Sequence, residues 1–170
     1  MDLGKRFSPE ERAKFVRERF RAGTVIKLFC DFTKPPKFKL LLICSLQERP
    51  LLFVVNSKPT EFAKNNARLR QQQVPISKAT NEFLDHDSWI DCSTTYDNFT
   101  RREIEGALRQ DTTLILGQIC PLTASAVIES VSDSHTLSTI HMNQISMEVS
   151  ALTGPGPNLG SKQAASIRVR

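Results

Sequence analysis

Two apolar runs, Leu40-Leu41-Leu42-Ile43-Cys44 and Leu51-Leu52-Phe53-Val54-Val55, stand on either side of the polar segment Gln47-Glu48-Arg49-Pro50. Each run is strand-sized, and the connection is too short for the crossover of a dozen or more residues that a parallel pair needs. Residues 39–46 and 51–56 are therefore expected to form an antiparallel hairpin. Ahead of it, Thr24-Val25-Ile26-Lys27-Leu28-Phe29-Cys30 is rich in β-branched and aromatic residues and predicts a strand that begins after Gly23 and ends before the Pro35-Pro36 break. The expected class is α+β, mainly β.

Helices are expected around this centre. Ser8-Pro9-Glu10-Glu11 has capping-box spacing with proline at the first helical position, which predicts a helix over 9–21. Its apolar face, Ala13, Val16 and Phe20, is narrow, so it is expected to pack on the domain edge or on a partner. A weak helix over 60–72 has Phe62 and Leu69 as its apolar contacts, and Val74-Pro75-Ile76 reads as an edge strand because proline cannot donate to a ladder. Residues 88–92 should be extended. Thr100-Arg101-Arg102-Glu103 repeats the capping box ahead of an Ile104, Ala107, Leu108 stripe. A strand over 112–116 is expected to end at Gly117, with helices from Thr123 and over 137–147 after it. The division expected is a helical extension over 1–22, a domain over 23–152, and a disordered tail over 153–170.

Hydrophobic residues make up 39% of the 170 and charged residues 24%, which is enough to bury one core without disulfides or metal. The longest apolar run is far short of the roughly 18 residues of a membrane-crossing helix. Lys5-Arg6 leads into Phe7-Ser8-Pro9-Glu10-Glu11 and not into an apolar stretch, so no secretory leader and no membrane contact are expected, and a cytoplasmic location is. Cys30, Cys44, Cys92 and Cys120 are far apart and make no C-x-x-C pair, which favours reduced thiols. The charge is uneven: residues 24–78 hold ten lysines and arginines against three acids, and residues 79–153 hold three against eleven. Either an anionic partner meets the first strands, or the two halves pair across the fold.

No phosphate-binding glycine loop, nucleophile elbow or zinc-protease motif occurs. Asp85-His86-Asp87-Ser88, with Asp91 and Cys92 behind it, has metal-ligand residue types, but a solvated loop uses the same ones, and no metal is expected there. Lys34, Lys37 and Lys39 flank Pro35-Pro36, so a stiffened loop presents three cations, the arrangement that phosphates require. Phe38 lies between two of them, where an aromatic ring can stack on a base. Asn56-Ser57-Lys58-Pro59 groups an amide, a hydroxyl and a cation at a strand end, with Thr60 the expected cap of the helix that follows.

In order and spacing, several stretches together resemble the PemK/MazF family of toxin-like proteins over about 23–145. These are Gly23-Thr24-Val25-Ile26, Lys39-Leu40-Leu41-Leu42-Ile43-Cys44-Ser45, Phe53-Val54-Val55-Asn56-Ser57, Leu84-Asp85-His86-Asp87-Ser88-Trp89-Ile90-Asp91, and Leu116-Gly117-Gln118-Ile119 with Thr123. The resemblance implies a small SH3-like β-barrel, here with an N-terminal helix and C-terminal helices. It also implies metal-independent cleavage of single-stranded RNA by attack of the 2′-hydroxyl, with no cofactor, a homodimer, and an antitoxin protein as partner in a type II toxin-antitoxin or related defence system. Lys39 and Ser57 stand at the positions of that family's catalytic Arg and Thr or Ser, and Lys34, Lys37, Phe38 and Lys58 would hold the RNA. The departure is Lys39-Leu40 where the family has Arg-Pro, and lysine lacks the planar fork that grips two phosphate oxygens. The alternative is a non-catalytic barrel of this type that binds nucleic acid or a protein partner.

Overall fold

The structure, a computed structural model, describes residues 7–154. The expected tail lies, from residue 155 onward, outside the described residues. Helix α1 (Pro9–Arg19) starts on the expected capping box: Ser8 Oγ accepts from Glu11 N, and Glu11 Oε2 accepts from Ser8 N at 2.7 Å. Strands β1 (Thr24–Cys30), β2 (Lys37–Ile43) and β3 (Leu52–Asn56) follow. Two short helices, α2 (Glu61–Asn65) and α3 (Ala67–Gln71), lead to β4 (Gln73–Ile76) and β5 (Ser88–Tyr96). Then come α4 (Arg101–Gln110), a 3-10 turn (Thr112–Leu114), β6 (Ile115–Gln118), α5 (Pro121–Ser132) and α6 (Thr139–Val149).

The six strands form one antiparallel sheet in the order β4-β5-β3-β2-β1-β6, curled into a half-barrel. The β2–β3 pair is the hairpin expected from the apolar runs, with Leu42 opposite Phe53 and Leu41 opposite Val54. Register shifts between Val25 and Ile26 in β1 and between Leu52 and Val54 in β3 are bulge-like irregularities, which sharpen local twist and help the sheet to curl.

Helices cover both faces of the sheet, which is why β2 and β3 are apolar at consecutive positions and do not alternate. On the first face, Val25, Leu42, Phe53 and Ile90 pack with Val127 and Val131 of α5 and Ile145 and Val149 of α6. On the second, Ile26, Leu41, Ile43 and Val54 pack with Val16 and Phe20 at the end of α1 and with Ile104 and Leu108 of α4. The N-terminal helix is thus a wall of the core and not an edge ornament: two residues of its narrow stripe are deep enough to seal the sheet.

Two local differences from the sequence reading have plain causes. The expected helix over 60–72 is split at Asn66, whose side chain caps the second piece through Arg68 N and Leu69 N. Thr60 caps the first piece, as expected. Gly117 lies inside β6, opposite Val25, where a Cβ would come within 2.4 Å of Cδ1 of Phe83, so the ring packs directly on bare backbone. Gly23 has φ of +84°, donates to Ile43 O and accepts from Ile119 N, and a Cβ there would lie 2.1 Å from Cδ1 of Leu152. Cys30, Cys44 and Cys92 are buried, Cys120 is half-buried, and all four are free thiols.

Candidate nucleic-acid interface

The β1–β2 ribbon outreaches the helices that cover the sheet, so side chains that would be core elsewhere face water here. In β1 the alternation puts Lys27 and Phe29 out while Ile26, Leu28 and Cys30 go in. Phe29 pairs across the strands with Phe38, their ring centroids 5.4 Å apart and nearly perpendicular, and the two rings are 51% and 55% exposed. An edge-to-face pair of this kind is favourable by about 0.5–1.5 kcal/mol but leaves both rings half in water. The Lys27 ammonium stands 5.7 Å from the Phe38 centroid, within cation–π range. In the connecting loop the Thr33 hydroxyl lies 2.9 Å from both Cys30 O and Pro35 O, which pins the turn and presents Lys34 and Lys37 to solvent.

Lys39 points to the opposite face of the same ribbon. Its Nζ donates to Asn56 Oδ1 at 2.6 Å, so the last residue of β3 holds it in place. Burial lowers the pKa of Lys39, the like charge of Lys37 lowers it further, and Cys30 opposes both. The neighbouring Cys30 thiol is pushed up by burial, with Lys39 pulling against that. A cation that is half-desolvated and crowded by another cation gains more from an arriving phosphate than a fully solvated one does. Ser57 and Lys58 follow Asn56 directly and are exposed.

The structure therefore gathers the expected residues into two adjacent groups. Phe38 shares one face of the ribbon with Lys27 and Phe29, Lys37 falls with Lys39 on the other, and Ser57 and Lys58 follow Asn56, the residue that Lys39 contacts. Sequence reasoning missed Lys27 and Phe29, which were detectable because they fall on the solvent phase of β1's alternation. It singled out the Asn56 amide at the strand end but not its contact with Lys39, which requires the β2–β3 register.

The acidic loop has structural work. Asp87 Oδ1 accepts from Lys78 N at 2.8 Å and from Ser77 Oγ, and Asp91 Oδ1 accepts from Gln73 Nε2 and from the N and Oγ of Ser93. His86 is exposed. Among the described residues no group of three His, Cys, Asp or Glu side chains is placed to hold a metal ion, and no helix is long and apolar enough to cross a membrane.

Fold and surface together define a small α+β half-barrel with an aromatic and basic ribbon. No protein-family model matches the chain, and comparison with curated proteins and with solved structures gave no match either.

Proposed function

We propose that this protein binds single-stranded RNA along the β1–β2 ribbon, its phosphates on Lys34, Lys37 and Lys58 and its bases on Phe38 and Phe29. The observation that carries the reading is the half-exposed Phe29–Phe38 pair with Lys27 beside it, since single-strand binders combine stacking rings with cations that follow the backbone. The experiment is a titration of a short single-stranded RNA at several salt concentrations. Phe38→Ala is expected to weaken binding by about 1–3 kcal/mol, one stacked base. Lys34→Ala and Lys37→Ala should each flatten the slope of log K against log salt by about 0.7, one phosphate contact on a single strand. A wild-type protein with no salt-dependent RNA affinity would sink the reading.

A second reading is favoured by the Lys39–Asn56 contact beside Ser57. On it the protein is a toxin-like endoribonuclease that needs no metal: the 2′-hydroxyl of the substrate attacks the adjacent phosphate, Lys39 stabilises the charge that develops, and Ser57 hydrogen-bonds the phosphate. Such a toxin would be held in check by an antitoxin protein.

Both readings go with a homodimer, because β4 and β6 each leave one edge of the sheet unpaired among the described residues. Light scattering at micromolar concentration should give twice the chain mass, and a monomer there would count against the dimer.

A further inference from the structure

Beside the strand-end group lies a cavity of about 670 Å³ that neither reading above uses. Its walls come from three places: the α2–α3 pair, the C-terminal half of β5, and the turn into α6. The rings of Phe62 and Tyr96 supply flat surface and Leu69 adds aliphatic contact, while Thr95 and His141 supply hydrogen-bonding groups. The size is within the range of small-molecule sites, and the pattern of apolar walls with a few convergent polar groups is theirs as well.

The charge of the lining selects the ligand. No lysine or arginine lines the cavity, and the single carboxylate, Asp91, already accepts three hydrogen bonds from Gln73 and Ser93. An anion would find no counter-charge there and would meet the Asp91 carboxylate instead. His141 Nδ1 lies 3.1 Å from Thr95 Oγ1, which leaves Nε2 for a ligand, and hydroxyls can both donate and accept. The best-matched guest is a neutral, flat ring with donors and acceptors on its edge.

The surroundings say where such a ring comes from. Tyr96 stacks on Phe32 of the basic β1–β2 loop, centroids 5.3 Å apart and planes 24° from parallel. On the other side, Thr60 lines the cavity two residues beyond Lys58, in the segment that Asn56 and Lys39 anchor. Lys58 and the β1–β2 loop thus lie near the cavity while its lining holds no cation, an arrangement that suits a nucleotide with its phosphate outside and its base within.

We infer that this cavity receives one nucleobase of the bound strand, between Tyr96 and Phe62, with Thr95 and His141 reading its edge. The inference rests on the single-stranded RNA reading and adds base selection to it. Tyr96 is the only tyrosine in the chain, so its ring resonances report on the site without ambiguity.

The test titrates the intact protein with the four free ribonucleosides and with ribose 5-phosphate, followed by the NMR signals of Tyr96 and His141. One or two nucleosides are expected to shift both residues saturably, and ribose 5-phosphate to leave them unmoved. His141→Ala and Thr95→Val should weaken the preferred nucleoside at least tenfold and erase base preference in RNA binding. If RNA binds the wild-type protein but no nucleoside moves Tyr96 or His141, the inference falls and the RNA reading stands. If nucleosides bind but RNA does not, the cavity is no RNA-base site and the inference falls with that reading.

Discussion

Phe53→Ala is expected to cost about 3–5 kcal/mol of folding free energy, the range for deleting a buried phenyl ring. Phe53 is fully buried at the middle of the sheet, opposite Leu42 and beneath α5 and α6, where no water can fill the space the ring would leave. Small domains are stable by only about 5–15 kcal/mol, so the variant should be close to unfolding at room temperature. Urea denaturation of this variant beside Phe38→Ala makes the contrast. Phe38 is 55% exposed, and its loss should cost no more than about 1.5 kcal/mol, the worth of its edge-to-face pairing with Phe29, while acting on RNA binding. Equal midpoints for the two variants would mean that the first-face core is not packed as described.

The second large effect concerns Lys39. If the strand-end group cleaves RNA, Lys39→Ala should slow cleavage about a hundredfold or more, since a cation aimed at the transition-state phosphate is worth on the order of 3 kcal/mol. Ser57→Ala should do the same, and binding should change far less than rate. The assay is a gel of single-stranded RNA with excess chelator. If the protein only binds, neither variant will alter a cleavage rate, and Lys39→Ala will lower affinity as modestly as Lys37→Ala does.

Stability offers an independent check with the opposite sign. The folded state lowers the pKa of Lys39, so it disfavours the charged form that the unfolded chain carries freely. The penalty is full below the folded-state value and disappears as pH rises past the unfolded value of roughly 10.4. Lys39→Met should therefore not destabilise the protein at neutral pH, and any gain should shrink on the way to pH 10. A thermal melt series across that range reads it directly. A residue that is indifferent to stability yet needed for activity is one kept for its chemistry.

Much of the architecture was legible because it rests on local signals. The boxes at Ser8 and Thr100 form as read, and the Gln47 to Pro50 turn makes the hairpin. The placement of α1 was not legible from α1 itself, whose stripe is thin. It was legible from β2 and β3: consecutive buried residues such as Leu41, Leu42 and Ile43 demand cover on both faces of a sheet. Gly117 was read as the end of a strand over 112–116, but its missing side chain lets Phe83 close on β6, a long-range reason that no local window holds. Among the candidate residues, the cations and Phe38 stood out by composition. The cavity did not, since Phe62, Tyr96 and His141 are far apart in the chain and converge only through the sheet order.

That order also bears on how the protein emerges from a ribosome. The β1-β2-β3 meander is made of neighbours in sequence and can form as soon as it is synthesised, but the outer edge of β1 pairs with β6, which comes much later. Until Ile115–Gln118 arrives, the nascent chain presents an open edge at Thr24–Ile26, flanked by apolar faces still waiting for α4, α5 and α6. Chains released early would expose that edge to one another, so the part of the sheet made first is also the part most prone to aggregate in an unfinished chain.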